Sequence, residues 1–185
     1  MQRRELLRSL GALALPALVP LPAGDRWELG RAIHRTVQGT SLRVLDRAQA
    51  ALATALADTI LPRTDTPGAL DAGAVEFLDR LLADWHTDTE RQDFLTGLNA
   101  LDARCRQAMG VSFAELDGAR RAEFLTPVDA AEAGRDATTP EAAYARLKST
   151  VVFAFLTSRA VREGVLRTPI IPGRFDGCIP APAGD

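Results

Sequence analysis

At 185 residues the chain is long enough to bury one sizeable core and short for two domains of ordinary size. Its 46% apolar and 25% charged residues match an ordinary soluble body, which argues against a disordered chain and a multi-pass membrane protein. A net charge of −2 leaves no basic face for nucleic acid. Aromatics are only 5%, alanine and leucine are plentiful and β-branched runs are scarce, so helix is favoured over strand.

Residues 1–24 fall into three zones: a basic start with Arg3, Arg4 and Arg8, an uncharged apolar stretch from Leu10 to Leu21, and a small-residue exit at Ala23 and Gly24. That order is a signal peptide. Spanning a bilayer takes about 20 apolar residues, and this stretch is shorter and carries Pro16 and Pro20, so a permanent anchor is not expected. Arg3 and Arg4 followed by Leu6 and Leu7 (R-R-E-L-L), then a weakly apolar segment, match a twin-arginine signal, the bacterial route for proteins folded before export. The alternative, an amphipathic helix with solvated arginines, lacks the required periodicity from Leu10 to Leu21. Leu21 stands where a small residue is expected before a cut at Ala23, so an uncleaved signal stays open. Removing residues 1–23 takes away three arginines and Glu5 and leaves a charge of −4, with no cationic footing on an anionic membrane. The expected location is therefore periplasmic, with membrane association through partners.

Residues 25–40 show no clear period and are expected to connect signal to body. Ser41 is the expected N-cap of a first helix carrying Leu42, Leu45, Leu52, Leu56 and Ile60, halted by Pro62. Pro62 to Gly73 concentrates Pro, Gly, Asp and Thr, the residues of a structured turn region. Val75, Leu78, Leu81, Leu82 and Trp85 recur at helical spacing. Thr87 and Glu90 form a capping-box pattern ahead of the stripe Phe94, Leu98, Leu101 and Cys105, and Gly110 is placed to end that helix in a left-handed conformation. Ser112 and Glu115 repeat the pattern before a short helical piece containing Phe113 and Leu116, followed by Phe124 and Leu125. A loop is expected at 129–139, then Thr139 as N-cap and Pro140 as first residue of a helix through Tyr144, Leu147, Val151 and Phe155. Its centre, Val151 to Leu156, is apolar on nearly every face, so that helix is either central or covered by another protein. From Thr168 to Asp185 four prolines and three glycines in eighteen residues exclude a regular element. The expected architecture is thus all-α: an irregular bundle of about five helices over 41–167, an N-terminal signal helix, and an extended arm over 168–185.

Motifs for chemistry are scarce. His34 and His86 have no second histidine at helical spacing, and C-x-x-C-H is absent, so neither zinc nor haem is expected. The glycine-rich nucleotide loops and the serine-hydrolase elbow are missing as well. Asp58, Asp65 and Asp71 flank the proline-rich turn, where they read first as turn builders rather than as cation ligands or an acid pair. No catalytic, cofactor or metal residue is expected in this chain.

Two segments, Asp58 to Gly73 (D-T-I-L-P-R-T-D-T-P-G-A-L-D-A-G) and Pro172 to Pro180 (P-G-R-F-D-G-C-I-P), resemble the paired signature blocks of the gluconate 2-dehydrogenase subunit 3 family. The resemblance spans roughly residues 50–180 and is weakest over 129–139 and Arg159 to Arg167. It implies an exported small subunit that accompanies a flavin-dependent sugar or sugar-acid dehydrogenase, and often a multihaem cytochrome c. FAD and haem c are then expected in partner subunits and not in this chain, with the twin-arginine translocase as a transient partner. The implied role is to aid folding, export and stability of the flavoprotein. Rival readings are a dedicated chaperone for an exported redox enzyme, which should not own a signal peptide, and a small exported enzyme, which needs convergent titratable groups.

Cys105 continues a buried stripe and is expected to be chemically quiet. Cys178 lies in the Gly- and Pro-bounded arm beside Arg174, Phe175 and Asp176, which read as a docking strap onto the dehydrogenase. Three states are open to Cys178 in an oxidising compartment. A bond to a partner cysteine is preferred. A bond to Cys105 would close a loop of about 70 residues, worth roughly 4 kcal/mol by chain entropy. The third state is a free thiol.

Overall fold

The computed structural model describes residues 23–37, 41–131 and 136–166. Arg3, Arg4, Leu6, Leu7, Arg174, Phe175, Asp176 and Cys178 lie outside the described residues. Among the described residues there are seven α-helices and no strand: α1 (Ala23–Val37), α2 (Arg47–Ile60), α3 (Ala74–Asp84), α4 (Asp88–Met109), α5 (Gly118–Ala130), α6 (Pro140–Thr157) and the short α7 (Arg159–Val161). A 3-10 turn (Phe113–Glu115) precedes α5, and a π turn (Arg162–Leu166) continues α7. The all-α expectation holds. The two helices beyond the expected five are α1 and α7.

Helix α6 is the hub, packed against every other helix of the described body. Its sequence explains why: Leu147, Val151, Val152, Ala154 and Phe155 point in several directions and all are buried. The wrapping helices present narrower stripes, Leu52 and Leu56 on α2, Phe77, Leu78, Leu81 and Leu82 on α3, and Phe94, Leu98, Leu101 and Cys105 on α4. Trp85, grouped by spacing with the α3 stripe, instead sits at the helix C-cap and is 52% exposed.

The helix ends follow local chemistry. The Thr87 side chain accepts from the Glu90 N–H, and the Glu90 carboxylate accepts from the Thr87 N–H. The Thr87 N–H and the Thr87 hydroxyl, both donating to Glu90 Oε2 at 2.9 Å, hold the Glu90 carboxyl below the usual range. Gly110 ends α4 at φ 81°, a left-handed conformation that carries a steric penalty for any side chain. Thr139 caps α6, with Pro140 at the first turn. Ser112 and Glu115 form their expected box, opening a short 3-10 turn over Phe113–Glu115.

Two expectations need correction. Ser41 does not cap α2: the cap is Asp46, which accepts from the Gln49 N–H at 2.8 Å while the Gln49 side chain accepts from the Asp46 N–H. Residues 43–45 are held outside the helix by Asp79 of α3, 3% exposed, whose carboxylate accepts from Arg43 N–H (2.8 Å), Val44 N–H (2.9 Å) and Leu45 N–H (2.9 Å). A buried charge thus satisfies three backbone donors that a helix beginning at Ser41 would leave to its own first turn. The second correction concerns residues 25–40: through Val37 they are helix packed into the body, not a bare connector, and that helix begins at Ala23, across the expected signal exit.

Candidate functional site

Helix α1 is seated by four successive contacts of different kinds. Leu29 and Ile33, one turn apart, are buried in the core. Between them Gly30 meets α6 so closely that an added Cβ would stand 2.6 Å from Thr157 Cγ2. Thr157 has little freedom to yield, because its chain is β-branched and its hydroxyl donates to the Phe153 carbonyl at 2.8 Å. One turn on, His34 Nε2 lies 2.9 Å from the Ala154 carbonyl oxygen. A carbonyl only accepts, so Nε2 carries the proton.

Ala154 is in the last turn of α6, where carbonyls lack intrahelical donors because Ser158 leaves the helix at ψ 148°. Phe155 O is served by the Ser158 N–H (3.2 Å) and Ser158 hydroxyl (2.8 Å), and Ala154 O by His34. The imidazole ring also rests on Phe77 at 5.0 Å between centroids, and Phe77 meets Phe153 edge-on at 5.8 Å. Burial, opposed by the Ala154 bond and reinforced by the nearby Arg162 charge, holds the His34 pKa below its ordinary value. His86, by contrast, bonds within its own turn, Nδ1 to the Leu81 carbonyl at 3.2 Å, as expected of a local histidine.

The signature loop borders this junction. Leu61 O accepts from the Ala69 N–H at 2.8 Å, and the Asp71 carboxylate accepts from the Gly68 N–H at 2.8 Å while pairing with Arg63 at 3.2 Å. Asp71 is thus a turn builder, as its sequence setting implies. Leu61, Ala69 and Ala72 are buried, whereas Leu70 between them is 44% exposed. The loop is a rigid mount that displays one leucine.

Two clefts flank His34 and Arg159. One, about 600 Å³, is bounded by Leu70 to Gly73 and Glu76 on one side and by Ser158 to Ala160 and Glu163 on the other. The second, about 610 Å³, is lined by Glu28, Arg31, His34 and Arg35 of α1 together with Thr157, Arg159 and Arg162. Trp27, 44% exposed, lies one helical turn before Arg31. Val165 and Leu166 at the end of the π turn are exposed as well. This combination of basic, aromatic and aliphatic side chains went unnoticed in the sequence, where its two halves are more than a hundred residues apart.

The titratable groups elsewhere are occupied in structure. Asp102 resists desolvation by accepting from Phe113 N–H (2.9 Å), Ser112 Oγ (2.8 Å) and Arg106 (2.9 Å), and its pKa is held low. Tyr144 is pushed up by burial and by neighbouring Asp129. The Cys105 thiol is raised by burial, then by the Asp102 charge, and has no disulfide partner among the described residues. Among the described residues no group of three or more His, Cys, Asp or Glu could hold a metal, and no helix is long and apolar enough to cross a membrane.

A family model described as gluconate 2-dehydrogenase subunit 3 matches residues 47–173, more than half of the chain. The chain belongs to the gluconate 2-dehydrogenase subunit 3 family. The family span begins at the first residue of α2 and takes in the signature loop and the Arg159 side of the basic cleft. Arg31 and Arg35 lie ahead of it. No curated protein and no solved structure matches the chain.

Proposed function

We propose that this chain is the non-catalytic small subunit of a periplasmic, flavin-dependent sugar or sugar-acid dehydrogenase complex, aiding the folding, export and stability of the flavoprotein. Family membership carries the proposal. In this reading FAD and haem c belong to partner subunits, and the complex reaches the periplasm through the twin-arginine translocase. The rigid signature loop suits a docking role, because a loop already ordered loses little further freedom on binding.

Arg3 and Arg4 are the proposed export determinants, and the arm with Arg174, Phe175, Asp176 and Cys178 is the proposed strap onto the flavoprotein. Replacing Arg3 and Arg4 with lysine tests the export half. Periplasmic dehydrogenase activity is expected to fall to background while the complex accumulates inside the cell; unchanged export would overturn it.

A further inference from the structure

We infer that the basic cleft between α1 and α7 receives an acidic, carboxylate-bearing segment of the flavoprotein subunit; this inference rests on the accessory-subunit reading. Four guanidinium groups and one imidazole line the cleft against a single opposing carboxylate, Glu28. Arg159 is already committed, since its Nε donates to both Glu163 oxygens at 2.9 and 3.0 Å. Arg31, Arg35 and Arg162 have no ion pair among the described residues. Arg162 Nε is in addition buried without a hydrogen-bond partner among the described residues. The guanidinium groups of Arg31, Arg35 and Arg162 line the cleft without a carboxylate of the described residues to pair with, and a carboxylate entering the cleft would supply one.

The exposed Trp27 beside the arginines favours carboxylates carried on a polypeptide over a small inorganic anion. Guanidinium forks match the planar carboxylate bidentately. Trp27, exposed one turn before Arg31 on α1, offers surface for the side chains between carboxylates. Trp and Arg together are the residues most enriched at interface hot spots. A cleft of about 610 Å³ has room for several side chains. The net charge of the whole chain is negative, so attraction to an anionic membrane is not a general property of its surface.

The test has two arms. In the first, the full chain is co-expressed with the flavoprotein that co-purifies with it, as wild type, Arg31→Glu with Arg35→Glu, Arg31→Lys with Arg35→Lys, and Arg47→Glu as an exposed control outside the cleft. Charge reversal is expected to weaken retention of the flavoprotein roughly tenfold or more, the lysine pair to fall between, and Arg47→Glu to match wild type, all with unchanged circular dichroism. Equal retention by the charge-reversed chain would overturn the cleft assignment and leave the accessory reading intact, whereas failure of the wild-type chain to hold any flavoprotein would remove that reading itself. In the second arm, a glutamate-rich peptide and inorganic phosphate are titrated into the purified full chain. Peptide binding that is tighter than phosphate binding and lost in Arg31→Glu with Arg35→Glu supports the proposal; phosphate binding as tight as the peptide, or peptide binding indifferent to the substitutions, overturns it.

Discussion

His34 Nε2 donates to the Ala154 carbonyl across 120 residues of chain, joining the first described helix to the open end of the central one. The bond fixes the edge of both clefts, and the burial of the ring, against which the bond works, makes α1 sensitive to acid. Burial holds the folded-state pKa of His34 below 6.5, so as pH falls the unfolded chain takes up its proton first. The contribution of His34 to stability is therefore complete above about pH 6.5 and is lost as pH falls through that value toward the lower folded pKa. Urea unfolding at about pH 7.5 and about pH 5.5 should show a drop that His34→Gln reduces. An equal drop in the variant would assign the acid sensitivity to other groups.

Gly30→Ala is expected to destabilise the body by about 1–3 kcal/mol, because the new methyl meets Thr157 and α1 must lift from α6. Pairing it with Thr157→Ala should recover part of the loss, visible as a non-additive double-mutant cycle. Full additivity would mean that the two residues do not press on one another.

Asp79→Ala should cost about 3 kcal/mol, since it strips the acceptor from three backbone N–H groups at once. Asp79→Asn keeps one oxygen and should fall between. Chemical denaturation of the three chains checks the order, and an Asp79→Ala chain as stable as wild type would contradict the anchoring role.

The cysteines should separate by reactivity. Cys105 is fully buried and its thiol pKa is raised, so a thiol reagent should leave it unmodified until the chain unfolds. Non-reducing electrophoresis of the native complex then reads the state of Cys178. A band at the summed mass that vanishes on reduction and in Cys178→Ser is the expected result; a chain of unshifted mass with no free thiol would point to the internal bond with Cys105.

What the sequence made legible was short-range. Thr87 with Glu90, Gly110, Ser112 with Glu115, and Thr139 with Pro140 each act within a few residues, and all four stand where their spacing puts them. Long-range chemistry was hidden. Asp79 sits inside an apolar run and looks like a surface charge until its three donors, more than thirty residues away, are known. Helix α1 escaped notice because its buried face is two aliphatics, a glycine and a histidine, too few apolar positions to register as a period. The basic cleft has no sequence signal at all, as Arg31 and Arg162 meet only through the docking of α1 beside the end of α6.

The central claim is that this chain accompanies a flavoprotein and holds no redox centre itself. Its most direct test is the visible spectrum and dehydrogenase activity of the complex isolated from native cells through this chain, and then of the chain separated from it. The complex should carry flavin in equimolar amount and be active, and the separated chain should be colourless and inactive. Flavin or haem absorbance that stays with the separated chain through gel filtration, or isolation of the native chain without any flavoprotein, would contradict the account.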